Sequence, residues 1–128
     1  MNEAPQPISM TRIDSDDLIQ DEETPEAIDF SIMLSQTPPE EWIASFTAAY
    51  LALHHDIKPP SHIEGDRIWI SYLPRYNGEL PAYLKFLQAV VNESNRQVQL
   101  TYEIHQNSAK DQMRMQFRDL LRQTALPS

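Results

Sequence analysis

Imidazole and carboxylate crowd one stretch of the chain: His54, His55, Asp56, His62, Glu64 and Asp66 fall between positions 54 and 66. Zinc and iron sites use these ligand types, and a wet loop would leave a coordination position open for a substrate. The spacing argues against such a site. There is no HExxH, and immediate neighbours such as His54 and His55 rarely aim at one point. A polar helix end accounts for the same residues, because imidazoles sit favourably beside the negative terminus of a helix. His54, His62, Glu64 and Asp66 are therefore weak metal candidates, and no metal or cofactor is expected.

Other catalytic chemistry has less to work with. Serines 31, 35, 45, 61, 71, 94 and 108 sit in no GxSxG or comparable context. The two glycines, Gly65 and Gly78, build no phosphate-cradling loop. The absence of cysteine excludes thiolate ligands, disulfides and a cysteine nucleophile, and fits a reducing compartment. The expectation is a protein that is not an enzyme and is cytoplasmic, with no secretory leader and no apolar run of the ~20 residues that span a bilayer.

The net charge of −9 is unevenly placed. Residues 1–29 hold nine acids and one base, Arg12, whereas residues 30–128 hold ten acids and nine bases. A nearly neutral body behind an acidic front lacks the dense basic surface that nucleic acid requires. Residues 1–26, with Pro5, Pro7, Pro25 and eight of the acids, read as a disordered acidic N-terminal arm. Inside that arm Leu18 and Ile19 form an apolar pair among Asp16, Asp17, Asp21, Glu22 and Glu23. The pair is a candidate docking motif; a solvating tail is the simpler explanation and is preferred.

The elements that would position these groups follow from periodicity. Ile28, Phe30, Ile32 and Leu34 alternate with polar or smaller residues, a strand with one apolar face. Thr37, Pro38 and Glu40 have the spacing of a capping box. Trp42, Ile43, Phe46, Ala49, Tyr50 and Leu53 then mark one face of a helix ending near His54–Asp56. Residues 67–73 form a second strand, entered through Gly65-Asp66 and ended by Pro74. The pattern predicts a compact β-α-β body over 27–78, with parallel strands and a further strand near His62-Ile63 or from a second chain. Tyr76 and Tyr83 are the tyrosines expected to be exposed.

The last segment, 79–128, reads as one long helix over about 80–123. Leu87, Val98, Ala109 and Leu120 recur every eleven residues, as do Val91, Tyr102 and Met113. Leu84 and Phe117 lie on a third row, with Asn95 and Gln106 as its polar members. Eleven residues make three turns, so the rows form one drifting stripe. The alternation of Val98, Leu100, Tyr102 and Ile104 supports a helix–strand–helix alternative. At 1.5 Å per residue the single helix is about 65 Å long, longer than so small a body can cover.

Lys110, Arg114, Arg118 and Arg122 recur every fourth residue along one side of that helix, bordering the stripe. Bases flanking an apolar seam are what paired helices carry. The fold class is thus α+β, a β-α-β unit followed by a long amphipathic helix. The expected role is an adaptor or scaffold that self-associates through Leu87, Val91, Val98, Tyr102, Met113, Phe117 and Leu120, the basic row setting orientation. Partners are a second copy or another protein; nucleic acid and membrane are not expected. An antitoxin-like or phage-type acidic inhibitor of a basic target is the second reading, and a small metal-dependent enzyme the third.

Overall fold

A computed structural model describes residues 4–20 and 26–126. The fold is α+β. Four strands, β1 (Met10–Gln20), β2 (Ile28–Leu34), β3 (Ser61–Glu64) and β4 (Arg67–Tyr72), form a sheet of order β1-β2-β4-β3. Helix α1 (Glu40–Ala52) links β2 to β3, and a 3-10 turn at Pro74–Glu79 leads into α2 (Leu80–Gln123).

All neighbouring strands are antiparallel, which corrects the parallel β2–β4 expectation. The crossover rule itself holds one strand further out. β2 and β3, each antiparallel to β4, run parallel to one another on either side of it. The β3–β4 hairpin reverses the chain at Gly65, whose φ of +62° costs glycine little, and so inserts β4 between them. The short strand expected near His62-Ile63 is β3.

β1 corrects the expectation of a disordered arm for residues 10–20; the acids Asp21, Glu22 and Glu23 and Pro25 lie outside the described residues. Backbone pairing with β2 needs no apolar side chains. The acids are managed at a bulge, where Asp14 faces Ser31 but Ile19 faces Asp29, so six residues of β1 span three of β2. Asp14 Oδ1 accepts the N–H groups of Asp16 (3.0 Å) and Asp17 (3.3 Å), and its Oδ2 accepts Arg67 Nη1 at 2.6 Å. Arg67 also donates to Ser31 Oγ at 3.1 Å. The Arg67 hydrogen bond, ahead of the backbone N–H of Asp16, holds the Asp14 carboxyl below its usual range.

The capping box is not formed. α1 starts at Glu40, with Pro39 as an N-cap that makes no side-chain bond. Thr37 and Pro38 each precede a proline, which bars both from helical ψ, so the first turn moves two residues on. Glu40 and Glu41 then occupy that turn, where carboxylates favour the positive helix end.

One core joins the sheet to both helices. Ile32, Leu34, Ile68, Ile70 and Tyr72 meet Trp42, Phe46, Ala49 and Tyr50 of α1 and Tyr83, Phe86, Leu87, Val90, Val91 and Val98 of α2. Each such side chain, fully buried, contributes roughly 1.5–3 kcal/mol. Tyr83, expected to be exposed, is fully buried, and its hydroxyl is 2.9 Å from that of Tyr50, which donates to the Pro59 carbonyl. Burial pushes the ionisation of both phenols up. Tyr76 is half-buried. Residues 80–98 therefore pack against the sheet and α1.

Candidate interaction surface

The long helix is continuous, and the strand alternative for 97–105 is not adopted. Pro81 in its first turn fits because an N–H there has no helical acceptor. No glycine or proline interrupts the helix after Pro81. It closes at Thr124, whose N–H and hydroxyl both donate to the Leu120 carbonyl.

The stripe changes character along its length. Leu87 and Val91 are completely buried and Val98 nearly so, within the chain's own core. Leu87 and Val91 are spent on folding, which corrects their assignment to a partner seam, while Val98 keeps an edge in the groove described below. Asn95, a polar member of the stripe, is a clip. Its Oδ1 accepts the Ile8 N–H (3.0 Å) and the Trp42 indole N–H (2.8 Å), and its Nδ2 donates to the Ile8 carbonyl (2.8 Å). It ties the N-terminal segment to α1 and α2 at the place where α2 leaves the body.

Beyond that place, every residue from Glu103 to Leu126 is exposed except the half-buried Gln106. The seam residues Met113, Phe117 and Leu120 are 70%, 62% and 58% exposed, and Ile104, Met115 and Leu121 are exposed beside them. Tyr102 is half-buried at the transition. Lys110, Arg114, Arg118 and Arg122 are all exposed and make no ion pair among the described residues. An apolar row this long, open to water and edged by bases, has the composition of a helix-pairing surface.

An open groove of about 670 Å³ lies at the foot of this rod. Trp42, Val98 and Tyr102 form part of its wall, with Gln6, Gln36 and His105 among its polar lining. Sequence reasoning did not find it, since it is made by three segments far apart in the chain. The polar Asn95 within an apolar row was the one available signal.

The histidine group is divided by the fold. His54 and Asp56 lie exposed past the end of α1, 3.4 Å apart, while His62 and Glu64 stand on β3 at 3.7 Å. His55 instead stacks on Phe86, ring centroids 4.8 Å apart. Asp66 sits at the β3–β4 turn, its carbonyl accepting the Leu34 N–H. Among the described residues, no three histidine or acidic side chains converge on a point that could hold a metal. At the end of α1 it is Lys58, and none of the histidines, that reaches a last-turn carbonyl, Leu51, at 3.2 Å.

Leu18 and Ile19 are half exposed on β1, an edge strand of the sheet, with Asp16 and Asp17 exposed beside them. Among the described residues no helix is long and apolar enough to cross a membrane. Comparison with family models, curated proteins and solved structures gave no match to the chain.

Proposed function

We propose that this chain is a non-catalytic assembly protein, an adaptor or scaffold that self-associates through the distal half of α2. The observation that carries the reading is the exposure of Met113 and Leu120 on the same eleven-residue rows that bury Leu87, Val91 and Val98, with Phe117 exposed on the adjoining row of Leu84. A solvated helix of this length draws little stability from propensity alone and gains most from burying one face. A second helix supplies that burial, and long basic side chains beside the seam cover its edges. Replacing Met113, Phe117 and Leu120 together by serine tests the reading. The expected outcome is loss of self-association in sedimentation with an unchanged unfolding midpoint of the body at matched low concentration. Retained self-association would remove this seam from consideration.

A second reading draws on Leu18 and Ile19. An apolar pair among acids on an edge strand has unpaired backbone groups on its outer side, suited to a basic extended segment. Binding of a basic peptide that weakens with salt and is lost in Leu18→Ser/Ile19→Ser would favour a regulator of a basic target.

A further inference from the structure

We infer that the second copy pairs antiparallel, crossing beside Ala109, so that the last turns of its α2 lie in the groove formed by Trp42, Val98 and Tyr102. The inference rests on the self-association reading and adds direction, register and an occupant for the groove.

The first support is continuity. Val98 and Tyr102, which line the groove, share eleven-residue rows with Ala109, Leu120 and Met113. The stripe thus runs without a break from the groove wall to the tip of the rod. About a crossing point between residues 109 and 110, Tyr102 stands opposite the partner's Phe117, Gln106 opposite the partner's Met113, and Val98 nearly level with the partner's Leu120. An aromatic meets an aromatic, and the apolar tip meets the apolar groove. Ala109 presents only a methyl at the crossing, where the two axes come closest.

Charge accommodates this pairing. At 100° per residue, Glu103 falls on the same flank of the seam as Lys110 and Arg114. The other flank carries Thr101, His105, Gln112 and Gln116, with Asp119 at the same helix angle as Thr101. Antiparallel helices bring like flanks together, so Glu103 faces the partner's Arg114 twice in each pair. Parallel helices bring opposite flanks together and set the bases against Asp119, so the choice of direction rests on the groove. Lys110, next to the crossing, faces its own copy, but its long exposed stem can swing the ammonium outward.

The second support is the groove's position. In an antiparallel pair each tip ends beside the other copy's Trp42; in a parallel pair both tips end far from either groove. The polar lining, Gln6, Gln36, Glu41, Ser45, Thr101 and His105, can hydrogen-bond the glutamines of an arriving tip.

The absence of cysteine makes the test direct. Thr101→Cys protein is mixed with Gln116→Cys protein, and each is also oxidised alone, at a concentration where the unaltered chain is shown by mass to be paired. Disulfides require Cα atoms within ~7 Å, so the mixed 101–116 link is expected to form at least about tenfold faster than the 116–116 link. In an antiparallel pair the two Gln116 positions are about 20 Å apart along the axis. A spin label at Gln116 gives that separation without a covalent link, and circular dichroism of each variant confirms its helix. Rapid 116–116 linkage or a short label separation would overturn the antiparallel pairing while leaving self-association standing. A chain that remains monomeric by mass would overturn both.

Discussion

The two halves of α2 carry one apolar pattern under two different conditions. From Leu80 to Val98 the stripe is pressed against the sheet and α1, with Leu87, Val90 and Val91 fully buried. From Glu103 onward the same rows meet water at Met113, Phe117 and Leu120. The proximal half is held by its own chain, whereas the distal half has a face of the same kind with no surface among the described residues to meet it. Periodicity therefore predicts that a face will be buried and is silent on which surface buries it.

The comparison makes its largest prediction in the core. Leu87→Ala removes a fully buried side chain between sheet and helices. It should cost about 2–5 kcal/mol of unfolding free energy, measured by denaturant titration. Phe117→Ala on the distal half should change that quantity by less than ~0.5 kcal/mol in the dissociated chain. Equal costs would mean that the two halves are not distinct.

Asn95→Ala probes the junction between the halves. It leaves the Trp42 indole N–H and both backbone groups of Ile8 without their partner. A loss of about 1–3 kcal/mol is expected, together with loss of hydrogen-exchange protection at the Ile8 amide. Unchanged protection would show that the clip does not hold the N-terminal segment.

A smaller effect separates the body from the rod by pH. Arg67 holds the Asp14 carboxyl below its ordinary value, and Arg96 with Gln97 holds Glu93 at about 2. Both folded-state values are depressed, so the stability they contribute is complete above the unfolded carboxylate range near 4. It is lost as pH falls from there through the folded values. Asp14→Asn should flatten the acid limb of a melting-temperature profile between pH 5 and pH 2 (from about one unit above the unfolded range to about two below it). An acid limb as steep as that of the unaltered chain would remove Asp14 from the account.

The fold was legible where one residue type repeated against one surface. The two-residue alternation of Ile28–Leu34 and 67–72 and the eleven-residue rows of α2 specified three of the main elements, and α2 runs over 80–123 as the pattern indicates. β1 was not legible. Its alternation is broken by the bulge between Asp14 and Ile19, and its acids are neutralised by Arg67, distant in sequence. The start of α1 was misread because the cap residue's own preference loses to two successive prolines. Parallel pairing was misread because a hairpin at Gly65 is a local event that rearranges strand order globally. Of the candidate seam, Met113, Phe117 and Leu120 are placed at the surface as expected. Leu87, Val91 and Val98 were indistinguishable from them in sequence, being members of the same stripe.

The solution mass of the unaltered chain, followed by light scattering from low to high concentration, bears most directly on the central claim. The account predicts a concentration-dependent rise to twice the chain mass, with hydrogen-exchange protection appearing across residues 103–123 as pairs form. A chain that stays monomeric throughout, with the distal helix fully protected, would contradict it.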